Sequence, residues 1–289
     1  MRPATPRVEL HLFSVGSCRH PEWVTLRGGR FGALTFPAMV ALIVHPAFGP
    51  ILYDTGYAER FEEATRPFPE RLYRWITPPR LPPEERLAAQ LSRRGMGLDD
   101  IGRVLISHLH ADHVAGLRDL PRSSFLALEG DVAAHLEGRG RWSALLHAEL
   151  PALLPPDFAS RLTLVDRLPT IDLGADWAPF DRGFDLLGDR SLVGIPLPGH
   201  SPAQLGVLLR TRDDRQVLLA ADSCWSARAY RERRLPSIVA RPLFADWNAY
   251  RRTLEGLHRL ALRQPGLEIV PSHCAATLSS FDRGHHVGR

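Results

Sequence analysis

The hydrophobic pattern alternates between short, continuously apolar runs and longer stretches with helical period. Ala38 to Val44 (AMVALIV) is apolar at every position, and Ile51 to Tyr53 resumes the pattern after a turn containing His-Pro and Gly-Pro. The two runs predict a pair of strands, followed by the turn Asp54-Thr55-Gly56. Val104 to Ser107 is too short for a helix and predicts a buried strand. The runs Leu192–Leu197, Leu205–Leu209, Val217–Ala221 and Glu268–Val270 read the same way. Glu84 to Arg94 is expected to be helical: Pro82 and Pro83 suit its start, Glu84 and Glu85 its first turn, Arg93 and Arg94 its last, and Gly95 its stop. A second helix is expected over Asp246 to Gln264. Asp246 is placed to cap it, and Trp247, Tyr250, Leu254, Leu257 and Ala261 step by three and four along one face. Strands interleaved with helices predict an α/β fold.

Two stretches fit neither period. Residues 61–83 are rich in proline, arginine and aromatics, and residues 142–184 mix a short helix with proline-rich loops. Within a single domain spanning 1–289, loops this long are expected to serve as lids or pocket walls, the alternative being surface insertions. The C-terminal tail from Phe281 is polar, and its His285 and His286 read as surface residues. No apolar stretch follows the first arginines and no run approaches the roughly 20 residues that span a bilayer. A cytoplasmic protein without membrane association is the expectation.

Composition narrows the class without naming a partner. The chain has 289 residues, 44% hydrophobic and 24% charged, which excludes a disordered chain. Its net charge is +4, and all 36 of its basic residues are arginine. The arginines are scattered, and the densest run, Arg228 to Arg234, contains Glu232 and reads as a solvated face. No basic and aromatic interleaving tracks a nucleic-acid backbone, so no nucleic-acid partner is expected. The three cysteines, Cys18, Cys224 and Cys274, are an odd number and read as small buried hydrophobes.

The chemistry concentrates in Ser107-His108-Leu109-His110-Ala111-Asp112-His113, directly after a predicted strand. Histidines this dense would repel one another when protonated unless something shared their lone pairs. Imidazole nitrogens and a carboxylate suit zinc and neighbouring transition metals. His108 and His110 alternate in an extended segment, so their rings can point the same way. Asp112 and His113 fall one turn later and can serve a second position. Neither half-site is complete. His200 in Pro198-Gly199-His200-Ser201-Pro202, Asp222 after Val217–Ala221, and His273 in Pro271-Ser272-His273 each follow an apolar strand, where open α/β sheets place their sites. Alone, either histidine would more often be a packed core residue. His11, His20, His45, His135, His147 and His258 lack this context and read as structural, with His11 and His20 in an N-terminal loop near enough to approach the site.

Taken in order, Asp54-Thr55-Gly56, the 108–113 string, Gly199-His200, Asp222 and His273 resemble the metallo-β-lactamase superfamily. The resemblance runs from about Ala38 to Cys274. It implies a four-layer αββα sandwich with two divalent metal ions, Zn2+ first and Fe, Mn or Co possible alternatives. It further implies that His108, His110 and His200 hold one ion, that Asp112, His113 and His273 hold the other, that Asp222 bridges, and that Asp54 orients the site. Two such ions share a hydroxide that acts as nucleophile, and Asp112 is the natural proton carrier to the leaving group.

Within the superfamily the sequence is most similar to the quorum-quenching N-acyl homoserine lactonases. The supporting strings are Ser-His-Leu-His-Ala-Asp-His, Pro-Pro-Glu-Glu-Arg before it, and Pro-Gly-His-Ser-Pro at 198–202. The resemblance implies a small-molecule lactone or ester substrate, with a homodimer as a possible assembly. One departure stands out. The lactonases carry a tyrosine three residues after the bridging aspartate, where its phenol contacts the substrate carbonyl, and Trp225 occupies that place here. Trp225 is the expected pocket residue on one side, with Phe68, Tyr73 and Trp75 as the lid opposite. A glyoxalase II-like thioester hydrolase, a phosphodiesterase and a non-catalytic metal-binding accessory protein remain open alternatives.

Overall fold

In the computed structural model, which describes residues 5–285, twelve strands form two sheets of six. The first sheet takes the N-terminal half in order: β1 (Glu9–Pro21), β2 (Ala33–His45), β3 (Gly49–Tyr53), β4 (Arg103–Leu105), β5 (Ser124–Ala127) and β6 (Leu162–Leu164). The second takes the rest: β7 (Thr170–Asp172), β8 (Arg182–Asp185), β9 (Leu192–Pro196), β10 (Leu205–Arg210), β11 (Gln216–Ala221) and β12 (Leu267–Pro271). β1 to β3 pair antiparallel, and β3 to β6 pair parallel. β7 to β11 form an antiparallel meander, and β12 joins β11 in parallel through the helix Trp247–Arg263.

The uninterrupted apolar runs have a physical cause in the layering. Along β2, Ala38, Val40 and Leu42 face the helices on one side, while Met39, Ala41 and Ile43 face the other sheet. Along β11, Val217, Leu219 and Ala221 face the first sheet, while Leu218 and Ala220 face the outer helices. A strand buried on both faces has no polar side to alternate with. The result is the expected αββα sandwich of helix, sheet, sheet and helix.

The helix Trp247–Arg263 follows its predicted pattern. The Asp246 carboxylate accepts from the backbone N–H of Asn248 and Ala249 at 2.8 and 2.9 Å, and Tyr250, Leu254 and Leu257 are buried. The predicted helix at Glu84–Arg94 is shorter. A 3-10 turn at Pro83–Glu85 gives way to an extended Arg86, and the α-helix runs only over Leu87–Ser92, where Leu87 and Leu91 enter the core.

Other departures lie where the period is broken or the element is short. The N-terminal segment holding His11 and His20 is the long strand β1 and not a loop. A register shift between Ser14 and Ser17 changes which face each residue meets, and that hides the alternation. The stretch 142–184 contributes β6, β7 and the start of β8, whose lengths of three and four residues are too short to display a period. The chain from Ala275 to His285 is helical, so the start of the polar C-terminal stretch from Phe281 continues a helix. His286 and the side chain of His285 lie outside the described residues.

Candidate metal centre

The loops at one end of the sandwich bring together residues that are far apart in sequence. Asp54 follows β3, the 107–113 string follows β4, His200 lies in the β9–β10 turn, Asp222 follows β11, and His273 follows β12. Each strand delivers its side chain at its carboxyl end, as crevices of α/β sheets require. The turns are conformationally exacting. Gly56 has φ +69°, and a Cβ there would lie 2.4 Å from the Val15 side chain. Gly199 has φ +131° and lies against the start of the helix Trp247–Arg263, where a Cβ would meet the Tyr250 nitrogen at 2.1 Å. That close approach lets the backbone N–H of Asp246 and Ala245 donate to the carbonyls of Gly199 and His200, pinning the turn that carries His200.

Three overlapping sets of ligand-type atoms result, each within 4.8 Å of one another: His108, His110 and His200; His108, His113 and Asp222; Asp112, His113 and His273. His200 Nε2 is 3.0 Å from His110 Nδ1 and 3.2 Å from Asp222 Oδ2. His273 Nε2 is 3.1 Å from Asp222 Oδ2 and 3.6 Å from Asp112 Oδ2. His113 Nε2 is 3.5 Å from Asp222 Oδ1 and 3.9 Å from Asp112 Oδ1. All seven residues singled out in the sequence thus converge.

The rings are aimed by hydrogen bonds on their far sides. Asp54 Oδ2 accepts from His113 Nδ1 at 2.8 Å, and its Oδ1 accepts from the Ser107 backbone N–H at 2.8 Å. Ser107 Oγ is 2.9 Å from His108 Nδ1. The Pro37 carbonyl accepts from His273 Nδ1 at 2.8 Å. Each contact occupies the outer ring nitrogen and leaves Nε2 facing inward. Asp54 is therefore where the sequence led us to expect it, whereas Ser107 and the Pro37 carbonyl went unassigned. Ser107 adjoins the motif and so was legible in principle. A backbone carbonyl from a distant strand carries no sequence signal.

The inward atoms are those of a cation site. His108 Nε2, His113 Nε2 and Asp222 Oδ1 are buried with no hydrogen-bond partner, and these residues make up one of the three sets. Burial, then the neighbouring His113 and His110, pushes His108 well below its usual range, so its ring is neutral. Burial and then His200 do the same to His110. Around His113, burial opposes the charge, but Asp54, Asp112 and Asp222 outweigh it and hold the proton up to about 10. At His273 burial is again overcome, chiefly by Asp222, and the proton is held up to about 9. His273 and His113 in turn hold the Asp222 carboxyl well below the usual carboxylate range despite its burial. A field that retains protons this firmly also favours divalent cations, and the donor set fits two of them.

The expected pocket residues fare unevenly. Tyr73 packs edge-on against Phe61 at the core, where burial and then the nearby Asp112 push its phenol well above the usual range. Phe68 is 58% exposed and set edge-on against Trp142, and Trp75 is 67% exposed. Trp225 is 8% exposed, with its indole N–H donating to Asp222 Oδ2 at 3.0 Å. Among the described residues, His45 lies 3.1 Å from Asp189 and His258 3.0 Å from the Tyr230 carbonyl, both away from the cluster. All three cysteines are free and buried.

A further buried carboxylate supports the His200 turn. Asp131, on the helix Glu129–Leu136, accepts from the Ala203 backbone N–H at 3.3 Å, while its Oδ2 has no geometric partner. Burial, opposed by hydrogen bonds from Ser201 and the backbone at Ala203 and Gln204, pushes its carboxyl up to about 7 from 3.8. The unfolded chain therefore loses this proton first, and stability falls as pH rises from about 4 to about 7. Asp131→Asn should remove that part of the pH dependence, worth about 1.4 kcal/mol per pH unit crossed. Urea unfolding of both proteins at pH 5 and pH 8 measures it: the variant should gain on the wild type at the higher pH, and an equal gap at both would contradict the assignment.

The fold and the site together define a metal-dependent hydrolase with a dinuclear centre. The chain belongs to the metallo-beta-lactamase superfamily, whose sequence model matches residues 36–273. It is similar to the N-acyl homoserine lactonase AttM of Azorhizobium caulinodans, at 25% identity over 286 residues, covering 96% of this chain and 97% of that protein. AttM of Agrobacterium fabrum is 26% identical over 226 residues, covering 75% of this chain and 76% of its own. Among solved structures, an N-acyl homoserine lactone hydrolase with N-hexanoyl-L-homoserine at its catalytic metal center superposes with a TM-score of 0.70 at 18% identity, covering 96% of both chains. AidC, a dizinc quorum-quenching lactonase, superposes at 0.63 with 14% identity, covering 95% of this chain and 90% of its own.

Proposed function

We propose that the protein opens the ring of N-acyl homoserine lactones or closely similar lactones. The observation that carries the substrate class is the end-to-end similarity to the AttM lactonase, within which the ligand cluster is complete. In this reading His108, His110 and His200 would hold one cation and Asp112, His113 and His273 the other, with Asp222 between the two sets. Zinc suits this histidine-rich, carboxylate-containing set. A pair of divalent ions bound there would supply an activated water and polarisation of the lactone carbonyl.

The remaining work falls to the chain. Asp54, Ser107 and the Pro37 carbonyl keep His113, His108 and His273 in one orientation through the reaction. Asp112 is the most open of the carboxylates in the cluster, with a side chain 13% exposed against 4% for Asp222. It is the group placed to carry a proton to the departing alkoxide. Tyr73 of the segment 61–83 and Ala148 and Glu149 of the segment 142–184 wall the mouth. In support, burial and then the nearby Asp112 push the Tyr73 phenol up, the Ala148 carbonyl accepts from the Ala111 N–H at 3.2 Å, and Glu149 pairs with His110 through the backbone. No helix among the described residues is long and apolar enough to cross a membrane. Three free buried cysteines suit a reducing compartment, in keeping with action in the cytoplasm.

The test is a substrate panel on metal-loaded protein: an N-acyl homoserine lactone, an acyl thioester and bis(p-nitrophenyl) phosphate. The lactone should be turned over with the highest kcat/KM. Preference for the thioester or the phosphodiester would reassign the substrate, and inertness toward all three would favour a binding protein.

A further inference from the structure

Trp225 sits three residues beyond Asp222, and its indole has one polar atom to use. That N–H lies 3.0 Å from Asp222 Oδ2. The ring is held on its other sides by an apolar cluster of Ala240, Phe244 and Tyr250, with Leu235 and Trp247 at its edge. Its centroid is 5.3 Å from that of Phe244 and 5.7 Å from that of His200. The carboxylate it meets leaves a tight turn: Ala221 has φ +47°, and the Ser223 hydroxyl donates back to the Ala220 carbonyl at 2.6 Å. The backbone thus delivers Asp222 to the site, and the remaining freedom is rotation of the carboxylate. An indole N–H is a donor only, on a ring that cannot turn when caged. With Oδ2 engaged by Trp225 and also 3.1 and 3.2 Å from His273 and His200 Nε2, Oδ1 is left buried and partnerless, 3.5 Å from His113 Nε2.

We infer that Trp225 is a positioning residue that fixes the rotation of Asp222, reserving Oδ1, which faces His113, for the cations. The inference rests on the reading of Asp222 as the carboxylate between two cations. It also separates Trp225 from substrate recognition. Its sole donor is already committed, and the ring is buried in the aromatic cage. A partner standing behind a metal ligand typically accounts for a 10- to 100-fold change in metal affinity.

Trp225→Phe keeps the apolar ring in the cage and removes the N–H. In chelator competition with Zn2+, without substrate, this variant should bind at least one of its two ions about 10- to 100-fold more weakly than wild type. Wild-type affinity at both sites would overturn the inference. A readout that does not depend on the variant's folding uses wild-type protein labelled with 15N at the indole nitrogens. The chain has six tryptophans. On Zn2+ addition the Trp225 signal, assigned by its loss in Trp225→Phe or through its contacts to Phe244, should move farther than those of the exposed Trp75 and Trp142. If it stays in place while Zn2+ binds, the inference is wrong. Both measurements are blind to substrate, so a protein that fails the lactone panel yet weakens its ions in Trp225→Phe loses the lactonase reading and keeps this one.

Discussion

Asp112→Asn should reduce lactone turnover by about 100- to 10,000-fold, the range of a lost general acid or base, while leaving both ions bound. Asp112 lies in the short helix Ala111–Val114, and its oxygens stand 3.9 and 3.6 Å from His113 Nε2 and His273 Nε2, beyond hydrogen-bonding distance. Asp54 Oδ2, by contrast, is committed to His113 at 2.8 Å, and Asp222 Oδ2 to Trp225. Asp112 is thus the carboxylate of the site with oxygen capacity to spare and an open side. An amide keeps one oxygen for the cation but cannot take up and release a proton. Steady-state kinetics with elemental analysis of the same sample decides the matter. Near-normal turnover would remove the proton-carrier role, and a variant lacking one ion would make Asp112 a ligand first.

Stripping the ions with a chelator should abolish hydrolysis and lower the unfolding midpoint, and both should return on reloading. His108 Nε2, His113 Nε2 and Asp222 Oδ1 are buried without partners, and each such orphan costs about 1–3 kcal/mol. A cation present at about 100 times its Kd adds about 2.7 kcal/mol to stability. The effect should be large because the cluster crowds five histidines and two carboxylates, and the carboxylate field holds protons on His113 and His273 to about 10 and about 9 when no cation replaces them. Calorimetry on stripped and reloaded protein, alongside the lactone assay, tests this. A stripped sample with full activity and an unchanged midpoint would end the dinuclear reading.

The sequence by itself determined the class. The short, continuous apolar runs between turn signals predicted strands buried on both faces. The 108–113 string pointed to a metal centre because it gathers three histidines and an aspartate in one turn, His200, Asp222 and His273 stood out by their places after strands, and Asp54 entered through the resemblance to the superfamily. What it could not carry depends on distance. The long first strand was hidden by its register shift, and β5 to β8 by lengths of three or four residues. The aim of each ring is set by groups remote in sequence: the Pro37 carbonyl lies 236 residues from His273, and Asp54 lies 59 from His113. Trp225 marks the boundary most clearly. Its identity was legible as a departure from the lactonase pattern, but whether its N–H faced a substrate or a carboxylate depended on the aromatic cage around it. That cage is assembled from residues of separate elements, and only the packed chain brings them together.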